Sequence, residues 1–172
     1  MDKYDDEMYK YLTIPENYKA AKEVVELLNK VYERLYKEFW YEVKNRLEEK
    51  IKNEIKDKEY VVDESLMVSR KNWDGVCISP DNEDYGIRID INKIDVVKVG
   101  QMISEKNLDG HLGNKTTDTW PIYFINYLNI IGGQVNMLPD TRETKISEMV
   151  DIILKYVKVA TDVCDEINKM RK

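Results

Sequence analysis

Histidine occurs once in this chain of 172 residues, cysteine twice and phenylalanine twice, and neither glycine nor proline falls between Glu16 and Lys56. Each scarcity excludes something. A zinc site needs three or four nitrogen or sulfur ligands, and a histidine-based triad needs a placed nucleophile and an orienting acid. His111 sits in Gly110-His111-Leu112-Gly113 with no cysteine or second histidine nearby, so it reads as an incidental loop residue. Cys77 and Cys164 are far apart and read as reduced thiols buried as small apolar groups. The cytoplasm is therefore the expected location. No P-loop and no Gly-rich dinucleotide fingerprint is present. No apolar run approaches the ~20 residues of a membrane span. Met1 to Lys10 is acidic, unlike a secretory signal. No basic block exists to grip phosphates, so direct nucleic-acid binding is not expected, nor is a membrane partner, a cofactor or a resident metal.

What is abundant is charge and tyrosine. Charged residues make up 35% of the chain, hydrophobic residues 42%, and there are twelve tyrosines. Tyrosine buries an apolar ring while its hydroxyl stays wet, which suits half-exposed helix faces and contact surfaces. The net charge is −6, and residues 57–95 alone carry ten acids against five bases. The size fits one core, so residues 1–172 are expected to form a single domain.

The glycine- and proline-free stretch 16–56 predicts one long helix, with 1–14 as an amphipathic lead-in bearing Met1, Tyr4, Met8 and Tyr11 on one side. Pro15 and Glu16 suit a first helical turn. Its apolar stripe begins Tyr18, Ala21, Val25, Leu28, Val31, Leu35, Phe39, in steps of three and four, and continues Val43, Leu47, Ile51, Ile55 in steps of four. At ~1.5 Å per residue such a helix approaches ~60 Å, longer than a compact domain of this size is wide. One end should project, pair with another chain, or bend back. The seam's expected occupants are the C-terminal helix of the same chain or a second copy. Trp40 and Tyr41 widen the apolar arc and are expected to cover the sheet.

The period changes to two at Tyr60. A β-meander of three to four strands is expected over 60–102: Tyr60 to Val68, Trp73 to Ile78 with Gly75 allowing close backbone approach, a turn at Pro80-Asp81-Asn82-Glu83-Asp84, then the alternating Tyr85, Ile87, Ile89 and Ile91. Ile94 to Met102 reads as a further strand or a short helix, and Asn107 to Asp118 as a loop. The region 120–170 is expected to be helical: Trp120 to Ile131 a short helix ended by Gly132-Gly133, and Thr144 to Met170 an amphipathic one. The expected class is α+β, with a long N-terminal helix, an antiparallel meander and C-terminal helices packed on the sheet.

Phe39-Trp40 on a helix, the strand run Asn72-Trp73-Asp74-Gly75-Val76, then Tyr85-Gly86-Ile87-Arg88-Ile89 and Trp120-Pro121 before a closing helix resemble a known pattern. It is similar to the C-terminal portion of prokaryotic and phage nucleases of the PD-(D/E)XK class, over residues 30–170. That chemistry needs an acid followed by an acid-x-Lys triplet on the next strand, holding Mg²⁺. Here Pro80-Asp81 is followed by Asp90-Ile91-Asn92-Lys93, one residue too long, so on a strand Asp90 and Lys93 would face opposite ways. Glu54-Ile55-Lys56 and Glu143-Thr144-Lys145 have the spacing but lie at or within helices. The resemblance thus implies an accessory part without the nuclease.

Three functions remain. The first is a non-enzymatic module docking on another protein or nucleoprotein complex, in phage-like form an inhibitor of a host defence or nucleic-acid-processing complex. Its contact residues would be Asp81, Glu83 and Asp84 in the acidic middle and Tyr32, Tyr36 and Trp40 on the long helix. The second is a divalent-metal nuclease, or its remnant, using Asp81, Asp90 and Lys93. The third is a homodimer joined through the seam.

Overall fold

The computed structural model describes residues 3–55, 59–81, 84–106, 108, 117–126 and 137–172. Contacts divide the chain into two units, Met1–Glu38 and Phe39–Lys172.

The first unit is helical. Helix α1 spans Lys3–Leu12, and α2 runs from Pro15 to Glu54, continuing into the second unit. Thr13 and Ile14 separate them because Pro15 has no amide hydrogen to extend α1 and fits the first turn of α2. The Tyr11 carbonyl accepts from Ile14 N at 3.4 Å and from Asn17 Nδ2 at 3.1 Å, and Tyr18 N donates to the Ile14 carbonyl at 2.9 Å. The long helix expected over 16–56 is present as Pro15–Glu54, and Lys56 lies outside the described residues.

In the second unit α2 supplies Phe39, Val43, Leu47 and Ile51, all buried, in the four-residue steps read from the sequence. Tyr41 is exposed, so it does not cover the sheet as expected, and Trp40 is half-buried with its ring edge-on to Phe39 at 5.2 Å. Five described strands form one antiparallel sheet in chain order: β1 Tyr60–Val62, β2 Val68–Arg70, β3 Val76–Asp81, β4 Asp84–Ile89 and β5 Ile122–Asn126. Val76 and Ile78 on β3 lie opposite Ile89 and Ile87 on β4, and all four are buried on one face. Helix α3 is Val96–Glu105, and α4, Pro139–Ile167, packs on the sheet.

The class is α+β, as the alternating and helical periods imply, with four corrections in detail. The run Tyr60–Val68 is two short strands joined by a turn. Asp63 shapes that turn by accepting from the amides of Ser65 at 2.8 Å and Met67 at 3.0 Å. The strand expected at Trp73–Ile78 begins at Val76, because Gly75 adopts φ +90°. A Cβ there would stand 3.0 Å from Lys93 Cβ, so the close approach expected of Gly75 is real. Third, β4 stops at Ile89. Asp90 accepts from the Asn92 amide at 3.0 Å and turns the chain, leaving Ile91 exposed although it continued the alternation. Fourth, residues 122–126 form a strand, not a helix. Ile-Tyr-Phe-Ile is β-branched and aromatic, and it pairs with the edge of β4 across an irregularity between Tyr85 and Gly86. The remainder of the expected helix and its Gly132-Gly133 stop lie outside the described residues.

Ile94–Met102 resolves to the helical option, with Asp95 capping α3 by accepting from Val97 N and Lys98 N. Helix α4 begins five residues before Thr144, with Pro139 at its first turn.

Candidate functional site

Along α2 one stripe leads two lives. Up to Tyr36 most of its apolar side chains are open to solvent, with Tyr18 62% exposed, Val25 55%, Leu28 46%, Val31 50% and Tyr32 37%, while Ala21 and Leu35 are half-buried. From Phe39 onward they are buried, Phe39, Val43 and Leu47 completely. Fully burying a Val, Leu or Phe side chain contributes roughly 1.5–3 kcal/mol. The second half of the stripe has gained that and the first has not. Scattered apolar residues are normal on a surface, whereas a continuous row marks a contact surface.

The buried half is held by α4; the sequence led us to expect the C-terminal helix on the Tyr18–Phe39 seam, but Tyr18, Val25, Leu28, Val31 and Tyr32 of that seam are exposed instead. Arg46 grips Glu143 through both terminal nitrogens at 2.5 and 2.8 Å, Lys50 pairs with Asp151, and Glu54 pairs with Lys158 at 2.5 Å. These pairs run in the same sense along both helices, α4 advancing seven or eight residues for each four of α2. They are largely exposed, so the apolar contacts beneath them supply most of the stability. Glu54 and Glu143, which opened the two helical acid-x-Lys triplets, are thus engaged as structural partners.

The expected site residues fall in both units. Tyr32 and Tyr36 lie exposed on α2 in the first unit. Trp40 lies in the second unit, half-buried. Asp81 and Asp84 face each other as the last paired positions of the β3–β4 hairpin, and Glu83 lies outside the described residues, as does His111. Asp90 and Lys93 are not on a strand. They flank a turn in which Lys93 N donates to the Asp90 carbonyl at 3.0 Å, while Lys93 Nζ pairs with Asp74 at 2.6 Å. The nuclease geometry weighed in the sequence therefore has a turn where a second strand would be required. Among the described residues no group of three or more His, Cys, Asp or Glu is placed to hold a metal ion.

Most of the acid in the middle segment is occupied locally. Glu59 pairs with Lys71 at 2.8 Å and Glu64 with Lys44 at 2.5 Å, while Asp74 takes both Lys93 and Arg171. Asp63, Asp90 and Asp95 accept backbone amides at turns and a helix start. Lys93 and Arg171 hold the Asp74 carboxyl below its ordinary range, and the α3 amides do the same for Asp95.

Sequence reading missed a knot that joins sheet to helix. Asp165 on α4 accepts from Arg70 at 2.5 Å and from the Trp73 indole at 2.7 Å. The Arg70 guanidinium lies 5.7 Å from the ring centroids of both Tyr60 and Trp73. Tyr60 OH meets Thr161 Oγ1 at 2.5 Å. No local motif encodes partners 90 positions apart, and every member is consumed in tying β1–β2 to α4.

Beside the knot, at the far side of β3 and β4, a cleft of about 540 Å³ is lined by Ser69, Cys77, Arg88, Asp90 and Thr119 among others. Arg88 stands 5.9 Å from the Trp120 ring centroid. Cys164 is buried as expected, whereas Cys77 is only half-buried, and desolvation pushes its thiol up to about 11. The cleft brings together one cation, Arg88, with the Asp90 carboxylate, the Ser69 and Thr119 hydroxyls and the Cys77 thiol.

No described helix is long and apolar enough to cross a membrane. Compared with protein-family models, curated proteins and solved structures, the chain matches none of them.

Proposed function

We propose that this chain is a non-enzymatic interaction module that works by laying the exposed face of α2 against another protein chain. The observation that supports this reading is the apolar row from Tyr18 to Tyr36, about five helical turns long, left open on a helix whose continuation is buried. An exposed row of this length lowers solubility unless something covers it. The test compares immobilised native chain with a Leu28→Glu variant for retention of a bound protein. Leu28 is half-exposed, so far-ultraviolet circular dichroism should be unchanged, while retention should fall at least about tenfold. Equal retention by the two would contradict the reading.

In its finer form, suggested by the likeness to phage nucleases, the partner bears a basic surface normally used for nucleic acid. The Asp81–Asp84 hairpin would then approach it, and the protein would act as an inhibitor. Complementary charge chiefly accelerates encounter. Reversing Asp81, Glu83 and Asp84 to Lys should slow association about tenfold or more at low salt, with the gap closing as salt is raised. An unchanged association rate would remove the hairpin from the contact surface.

A further inference from the structure

Resting on the docking reading above, we infer that the occupant of the exposed α2 face is a second copy of this chain, paired antiparallel about a two-fold axis between Glu26 and Leu27.

The argument begins with register. Tyr18, Ala21, Val25, Leu28, Tyr32 and Leu35 follow steps of three and four without a break, the a and d positions of a heptad repeat. Such a repeat is the pattern of a helix that meets another helix. Val24 and Val31 fall beside the seam and widen it, and both are apolar at the flank where most coiled coils carry charge.

Volume then chooses the direction. In a parallel pair like meets like: Ala21 would face Ala21 and leave a void, while Tyr18 and Tyr32 would each face another tyrosine and overfill their layers. In the antiparallel pair each a residue meets a d residue. Tyr18 packs on the second copy's Leu35, Ala21 on its Tyr32 and Val25 on its Leu28, so a small side chain always has a larger one opposite. Filled, evenly sized layers are what close packing requires. All six side chains are thereby used twice in a closed, self-complementary contact.

Charge is more mixed, since the axis also sets Glu26 beside the second copy's Glu26 while one opposite-charge meeting is gained. Lys22 is the first charged residue at a position flanking the seam, and it bridges weakly to Glu26 on its own helix at 3.9 Å. The antiparallel arrangement brings Lys19 and Lys22 within about one helical turn of the second copy's Glu33. In the parallel arrangement Lys22 meets Asn17 and gains no opposite charge.

Two measurements on the full-length chain test this. Sedimentation equilibrium should show dimer for the native chain and monomer for Leu28→Glu, whose dissociation constant should rise at least about 100-fold. Spin labels then read direction. With Cys77 replaced by Ala, labels are placed separately at Lys30→Cys and Lys37→Cys, both on the outer side of the helix. Antiparallel pairing about the stated axis offsets like labels along the helices by about 10 Å at position 30 and about 31 Å at position 37, at ~1.5 Å per residue. A much longer intermolecular distance at 37 than at 30 supports the inference. Equal distances at both positions mean parallel pairing and overturn it. A native chain that stays monomeric into the high micromolar range also overturns it, and Leu28-dependent retention of a different protein would then leave the docking reading standing.

Discussion

Tyr85 shows how a single side chain does two jobs. Its ring is buried at the centre of the sheet, and its hydroxyl donates to the Leu66 carbonyl at 2.7 Å. Leu66 has φ +63°, a conformation that costs a non-glycine residue roughly 1–2 kcal/mol. Its own side chain is buried, and that burial offsets the strain. Burial also pushes the Tyr85 phenol well above its ordinary value, so the hydroxyl keeps the proton it donates at neutral pH. Tyr85→Phe should therefore lower stability by about 1–2 kcal/mol in urea unfolding, because it leaves a buried carbonyl unsatisfied. A change below a few tenths would show that water replaces the hydroxyl. Tyr85 itself was legible as a core residue from the alternation with Ile87 and Ile89. Its bond to Leu66 was not, since nothing in the local pattern marks Leu66 as left-handed.

At the scale of elements, α2 was the most readable part of the chain, because forty residues without an internal helix breaker leave the backbone no competing choice. The sequence also showed a change in step along its stripe, from alternating threes and fours to fours. The structure adds what that change means: the fours are buried beside α4 and the sheet, and the earlier steps are exposed. Leu47→Ala should accordingly cost about 2–5 kcal/mol, whereas Leu28→Ala, measured at concentrations where chains are separate, should cost under about 1 kcal/mol. Similar costs at both sites would mean that the Tyr18–Tyr36 row is covered by its own chain. Strand β5 was misread because a short apolar run has no decisive period. Its identity depends on the edge of β4, a partner nearly forty residues earlier that no local window contains. The exposed face was legible as a seam, but whether it was covered was not, because exposure depends on the rest of the fold.

Across the whole molecule the acid excess is organised chiefly as internal structure. Asp74, Asp95 and Glu143 all have carboxyl groups held below their ordinary values, by Lys93 and Arg171, by the α3 amides and Lys98, and by Arg46 respectively. A depressed folded value stabilises the fold while the group is ionised. That contribution is complete above about pH 4.5, the ordinary carboxylate range, and is lost as pH falls through the lower folded values. Thermal midpoints should thus be flat from neutral pH down to about 4.5 and decline below it. Asp95→Ala should start lower and decline less steeply, and a native midpoint unchanged at pH 3 would contradict this assignment of the charges. The sequence located the charge in residues 57–95, but the pairs reach Lys44 and Arg171, which sequence distance conceals.

The claim on which function turns is that the open half of α2 is a surface made for another copy of itself. Sedimentation equilibrium of the native chain across a wide concentration range is its most direct test. The mass should rise from 20.4 kDa toward twice that value, and Leu28→Glu should hold it at the lower limit. A native chain fixed at the single-chain mass, or a variant that dimerises as readily as the native protein, would contradict it.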